Sequence, residues 1–283
     1  MKTNLNLIVI GDISCSTTRM YLEYLKNYNY KIEAIWLVNF QKKDNLKNKI
    51  KLFFSKLFVK KDCILSNEFA KLDNKFKDLA KDIQDQIKFK SIDFSKNFNL
   101  NILTNKVKIF NFLDYDDPNL QQLIKKNKNH TFLYTNGGIV PENLLKNEEI
   151  KILHIHPGIV PGYRGSDCLL WSGLKSGKFG ASCFYMNHRI DQGKLISIQS
   201  FELEKIFCLK KPLDNNEDDL VYRAILYSYD PHLRASLLID TIKKNVNYDL
   251  KKLPCKSQNN TKVFPYLWMH KEIRKKTLRK LFL

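Results

Sequence analysis

Two histidines and one distant aspartate carry the chemistry that this sequence can perform. His154 and His156 close an apolar run (Ile150, Ile152, Leu153, Ile155), and the chain then enters Pro157-Gly158-Ile159-Val160-Pro161-Gly162-Tyr163-Arg164-Gly165. Asp191-Gln192-Gly193 follows, with Asp191 35 residues after His156. Imidazole is the side chain that titrates nearest neutrality, and a carboxylate beside it can orient it and raise its basicity. A strand that runs into a Pro- and Gly-rich turn delivers both imidazoles to the carboxyl end of a sheet, where open α/β sheets keep their ligand crevices. Taken alone, His-x-His is as much a structural or metal pattern as a catalytic one. The complete string is far more specific.

The elements that position these residues read as alternating strands and helices. Leu5–Ile10 is a buried strand turning at Gly11-Asp12, residues 17–28 a helix, and Ile32–Val38 a second strand. This order predicts a parallel sheet with right-handed crossovers. No G-x-G-x-x-G follows the first strand, which argues against a dinucleotide site there. Val107–Phe110 and Thr131–Tyr134 are further strands, and Asp116-Asp117-Pro118 starts a helix with an acidic cap and Pro in its first turn. Residues 41–100 read as a Lys-rich helical insertion. In it Phe69, Leu72, Phe76, Leu79, Ile83 and Ile87 recur at helical spacing, the pattern of a helix packed on the body. After Phe201 the pattern turns helical. Leu220–Tyr229 is one helix, Asp230-Pro231 caps another, and Lys271–Leu283 is a basic amphipathic helix whose default is also packing. The expected organisation is a core over 1–200 and a helical extension over 201–283.

The 283 residues suffice for one large domain or two modest ones, and 43% hydrophobic content is ample for a core. The formal charge of +19 would ordinarily suggest nucleic acid. The excess is lysine, interleaved with asparagine along the whole chain, so it reads as a compositional habit that also attracts anionic substrates such as nucleotide phosphates. Six cysteines (15, 63, 168, 183, 208, 255) form no Cys-x-x-Cys pair, which argues against zinc and against a disulfide framework. The expectation is a reduced, cytoplasmic protein with no metal, no signal peptide and no membrane span.

The segment from about 130 to 200 resembles the N10-formyltetrahydrofolate-dependent formyltransferases. These include methionyl-tRNA, glycinamide ribonucleotide and sugar-nucleotide formyltransferases. Their pattern is Asn-x-His-Pro/Gly-Ser-x-Leu-Pro-x-x-Arg-Gly, then a strand ending in Asp-x-Gly. Here His156, Pro157, Pro161, Arg164 and Gly165 match position for position. Gly180–Met186 reads as the family's strand, Asp191-Gln192-Gly193 as its aspartate turn, and Gly138-Ile139-Val140-Pro141 as its Gly-x-Ile-Leu-Pro turn. One residue departs: the family's asparagine is His154 here.

The resemblance implies a Rossmann-like, mostly parallel sheet with helices on both faces, plus a small, mainly helical C-terminal region. It implies transfer of a formyl group from N10-formyltetrahydrofolate to an amine. An oxyanion then develops and a proton must leave the amine. His156 is the expected acid/base and Asp191 its partner, while His154 or Asn136 supplies a second oxyanion donor. Gly138, Ile139 and Val140, with Pro157, Gly158, Ile159, Tyr163, Arg164 and Gly165, are expected to wall the folate pocket. Arg164 reads equally as an ion-paired loop residue, Tyr163 equally as core, and His188 as surface. The helical reading after Phe201 favours a nucleotide-linked amino sugar as acceptor over a tRNA, because methionyl-tRNA formyltransferases carry a C-terminal β-barrel. Dimers are common among the sugar enzymes. Methionyl-tRNA formyl transfer, a formyltetrahydrofolate hydrolase and an inactive folate-binding homologue are the alternatives.

Overall fold

The computed structural model describes residues 3–12, 15–40, 63–64, 74–86, 98–112, 116–135, 140–202, 217–245, 249–258 and 264–282. Nine strands are described: β1 (Thr3–Asp12), β2 (Tyr30–Phe40), β3 (Cys63–Ile64), β4 (Phe98–Asn99), β5 (Val107–Phe112), β6 (Thr131–Tyr134), β7 (Lys151–His156), β8 (Lys178–Tyr185) and β9 (Lys194–Glu202). The helices are α1 (Ser16–Asn27), α2 (Asn74–Gln86), α3 (Pro118–Lys126), α4 (Glu142–Leu145), α5 (Cys168–Ser176), α6 (Asp218–Ala224), α7 (Asp230–Lys243) and α8 (Lys271–Phe282). Seven strands form a sheet in the order β5-β2-β1-β6-β7-β8-β9. Its first five are parallel neighbours, and β8 and β9 pair antiparallel. The mostly parallel α/β architecture expected from the sequence is the one observed.

By its contacts the chain divides into two compact units. The first comprises Met1–Ala70, Phe94–His154 and Asn245–Leu253. Its parallel strands run in the sequence order third-second-first-fourth-fifth, that of a doubly wound sheet with a switch point between β1 and β6. Five consecutive residues of β1, Leu7–Gly11, are buried, as a strand covered on both faces requires. The switch point is closed by side chains. The Thr18 hydroxyl meets that of Thr135 at 2.7 Å, and a Cβ on Gly11 would lie 2.4 Å from Thr18 Oγ1 and 2.5 Å from Thr135 Oγ1. This packing agrees with the missing dinucleotide fingerprint. At α3 the expected cap is present: the Asp117 carboxylate accepts from Asn119 N at 2.9 Å, and Pro118 opens the helix.

The second unit comprises Lys71–Asp93, Ile155–Lys244 and Pro254–Leu283. In α2, Phe76, Ala80 and Ile83 are buried, and Phe76 packs edge-on against Tyr227 at 5.6 Å. The amphipathic stripe therefore packs on its unit as expected; Phe69, Leu72 and Ile87 lie outside the described residues. One expectation fails between α6 and α7. No break and no Asp230 cap separate them, because Ile225–Tyr229 forms a π-helical turn that joins them. Asp230 is buried inside the helix and accepts from Arg234 at 3.0 Å. Pro231 lacks an N–H, and the widened turn before it accommodates the missing helical bond. The basic α8 lies along α6 through Arg274–Asp219 (2.6 Å), Arg279–Asp218 (3.4 Å) and the Arg274 guanidinium over Tyr222 (4.1 Å). Among the described residues no helix is long and apolar enough to cross a membrane.

Candidate active site

His156 ends β7 and is only 3% exposed. The loop after it folds back over the ring, so that a Cβ on Gly158 would sit 2.8 Å from His156 Nε2 and 2.7 Å from Cys168 Cβ. Ser182 holds that loop from β8, donating to the Gly158 carbonyl at 2.7 Å and accepting from Val160 N at 3.0 Å. His156 Nε2 lies 3.1 Å from the Tyr163 carbonyl. A carbonyl only accepts, so Nε2 carries the proton in the neutral ring and Nδ1 holds the lone pair. That lone pair faces Asp191 Oδ2 at 3.5 Å.

Asp191 sits in the β8–β9 turn at φ 52, a left-handed conformation that aspartate tolerates better than most side chains. Its Oδ2 also accepts from Gly165 N at 2.8 Å, which ties the turn to the loop carrying Arg164. Burial pulls the His156 pKa below the ordinary imidazole value. Asp191 and the Tyr163 carbonyl pull it back up, and the buried Arg234–Asp230 pair contributes in opposite senses. With the ring neutral, His156 Nδ1 and Asp191 Oδ2 are two acceptors facing each other. A donor with several N–H groups, such as an ammonium, is the chemical complement of that arrangement. Cys168 is the nearby sulfur, but burial, with Asp191 and Asp167, holds it firmly as the thiol. It offers no competing nucleophile.

The other expected residues fall as follows. Arg164 is 2% exposed and donates to Gln258 Oε1 at 2.8 Å; its Nε has no hydrogen-bond partner among the described residues. Tyr163 is half-buried and stacks on Tyr266 at 5.8 Å. Gly165 has φ 96 and a Cβ there would lie 2.3 Å from the Tyr266 carbonyl, so only glycine fits. Tyr266 N donates to Arg164 O (2.7 Å) and Ser166 N to Tyr266 O (2.8 Å), strapping residues 264–270 to the loop. Pro157 and Ile159 are half-buried members of the same loop, and His188 is exposed.

In the first unit, His154 Nδ1 lies 3.1 Å from the Tyr134 carbonyl. Nδ1 therefore bears the proton in neutral His154, and Nε2 becomes a donor only in the imidazolium form. Val140 lies in an apolar pocket with Ile10, Leu120, Tyr134, Pro141, Leu144 and Ile152, which leaves about 10 Å³, room for a single water-sized body. Asn136, Gly138 and Ile139 lie outside the described residues.

Gln258, Tyr266, Asp230 and Arg234 belong to this neighbourhood and were not expected. Gln258 and Tyr266 come from a segment with no periodic signal, and Asp230 read as a cap.

Residues 71–205 match the family described as Formyl transferase. A methionyl-tRNA formyltransferase from Prochlorococcus marinus is 32% identical over 120 residues, 41% of this chain and 34% of that relative. One from Hydrogenobaculum sp. is 26% identical over 132 residues, 46% of this chain and 39% of that relative. The chain thus spans little more than a third of the curated relatives it matches. Among solved structures, a sugar N-formyltransferase from Shewanella sp. aligns with TM-score 0.46 at 12% identity, over 98% of this chain and 86% of that one. An N-formyltransferase from Helicobacter canadensis, in complex with folinic acid and dTDP-3-aminofucose, aligns with TM-score 0.45 at 14% identity, over 93% and 70%.

Proposed function

We propose that this chain, whose residues 71–205 match the family described as Formyl transferase, moves a formyl group from N10-formyltetrahydrofolate to the amino group of a nucleotide-linked amino sugar. The observation that carries this reading is His156 Nδ1 opposite Asp191 Oδ2 at 3.5 Å, with Nε2 held by the Tyr163 carbonyl. The folate supplies an electrophilic formyl carbon. Val140 and the loop Pro157, Gly158, Ile159, Tyr163, Arg164 and Gly165 wall its pocket in this reading, with Gly138 and Ile139. The donor set fits such a co-substrate because it offers a base and a carboxylate and keeps its thiol inert.

Asp191 draws in the acceptor ammonium and His156 Nδ1 takes its proton. The freed amine attacks the formyl carbon, and an N–H from His154 as imidazolium, or from Asn136, meets the developing oxyanion. His156 then returns that proton to the departing folate nitrogen, while the second proton of the former ammonium, acidic once the new C–N bond has formed, leaves through Asp191 to solvent; no enzyme acyl group forms.

A sugar acceptor is supported by the helical character of the described residues beyond Glu202, where α6, α7 and α8 lie. A second reading, methionyl-tRNA as acceptor, is favoured by the matched relatives and by the +19 charge. The test incubates the protein with N10-formyltetrahydrofolate and, separately, dTDP-amino sugars, methionyl-tRNA or buffer. Formylated sugar by mass spectrometry supports the proposal. Formyl-methionyl-tRNA, with tRNA binding that weakens steeply with salt, would replace it with the second reading. Formate released in buffer alone would mean a hydrolase, and no turnover at all a binding protein.

A further inference from the structure

We infer that Gln258 is a positioning residue for Asp191, holding the catalytic turn from outside the segment that matches the family. The inference rests on the reading of His156 and Asp191 as the proton-transfer pair. Gln258 Nε2 donates to the Asp191 carbonyl at 3.0 Å and to the Gly193 carbonyl at 2.9 Å, while Oε1 accepts from Arg164 Nη2 at 2.8 Å. Carbonyls only accept and a guanidinium only donates, so one orientation of the amide is possible. Its two ends join the left-handed aspartate turn to the arginine of the loop that follows His156.

The turn needs such a fastener. Asp191 has φ 52, and Gly193 is packed so tightly that a Cβ would lie 1.8 Å from the Tyr185 carbonyl. A small drift of the turn would carry Asp191 Oδ2 away from both His156 Nδ1 and Gly165 N. Gln258 is itself fixed. Leu195 and Lys256 exchange two backbone hydrogen bonds of 2.8 Å, which lay residues 254–258 beside the start of β9, just past the turn. Arg164 is the other half of the device. It is 2% exposed, so its guanidinium needs the Gln258 oxygen in place of water.

The test separates the two ends of the amide. Gln258→Glu keeps an acceptor for Arg164 but turns an oxygen, rather than an N–H, toward the two carbonyls. It should fold, lower kcat by about 10- to 100-fold, the scale of small misplacements at a reacting centre, and change the KM for the folate donor by less than about twofold. In an Asp191→Asn background the same change should cost nothing more, because both act through one carboxylate. The Gly165 amide, bonded to Asp191 Oδ2, should exchange its hydrogen faster in Gln258→Glu, a readout that needs no turnover. Should Gln258→Glu fold poorly, Gln258→Met, similar in length and uncharged, carries the same measurements. Full kcat, losses that multiply with Asp191→Asn, or unchanged Gly165 exchange would each overturn the inference. A wild-type protein inactive on every amine would instead overturn the proposed function, and the exchange measurement would still decide the placement.

Discussion

His156 offers Nδ1, and only Nδ1, to Asp191: its other nitrogen is occupied by the Tyr163 carbonyl at 3.1 Å, and the Nδ1–Oδ2 distance is 3.5 Å. The pair is thus set up to share an incoming proton. His156→Ala and Asp191→Asn should each lower turnover by a factor on the order of 10²–10⁴ with folate binding much less affected. Asn tolerates the left-handed backbone at position 191, so the second variant removes charge and leaves the turn. The double variant should be about as slow as the worse single one. Losses that multiply would mean that the two residues work separately.

The direction of the His156 shift fixes the acid side of the rate profile. Burial lowers its pKa and Asp191 raises it. With His156 as the base of the proposed mechanism, kcat/KM should rise with pH through a midpoint below the ordinary imidazole value of about 6.5 and level off above that midpoint. Asp191→Asn removes the contribution that raises the pKa, so the midpoint should move further toward acid while the plateau falls. A midpoint that moved toward alkali would remove Asp191 as the electrostatic partner.

Much of this arrangement was legible from residue types, because it is local. Thr131–Tyr134 is observed with the expected bounds, and β7 delivers His156 to its turn because an apolar run there meets Pro and Gly. The Asp191 turn was equally visible. What was not legible depends on long-range contact. Gln258 lies 67 residues from Asp191 and has no pattern that distinguishes it from any exposed glutamine. Asp230-Pro231 carries a strong start signal, and only the π turn at Ile225–Tyr229 lets the helix run through it. The Tyr163 ring was undecided until Tyr266 stacked on it.

His154 stands where the family has asparagine, and its Nδ1 is taken by the Tyr134 carbonyl. If its imidazolium Nε2–H meets the oxyanion, His154→Ala should lose on the order of 10²-fold, the cost of one missing donor. His154→Asn should retain substantial activity, since an amide N–H donates without needing a proton from solvent. If Asn136 does this work, Asn136→Ala shows the loss and His154→Ala is nearly silent. Steady-state kinetics separates the outcomes, which differ by roughly 3 kcal/mol in activation free energy. Full rates in both alanine variants would leave the oxyanion to backbone donors or His156.

His232 links this fold to acid. It is half-buried on α7 beside the Tyr229 ring, and burial lowers its pKa to about 4. An unfolded histidine titrates near 6.5, so between these values the unfolded chain binds a proton that the folded chain refuses. The stability held above about pH 6.5 is therefore lost as pH falls and levels off below about 4. The loss is on the order of 3 kcal/mol, from 1.36 kcal/mol per pKa unit. His156 is lowered in the same direction and adds to the trend. His232→Phe should lose less stability than the wild type when urea unfolding at pH 7.5 is repeated at pH 5. An identical drop between the two pH values in both proteins would show that His232 stays solvated and titrates freely in the folded state.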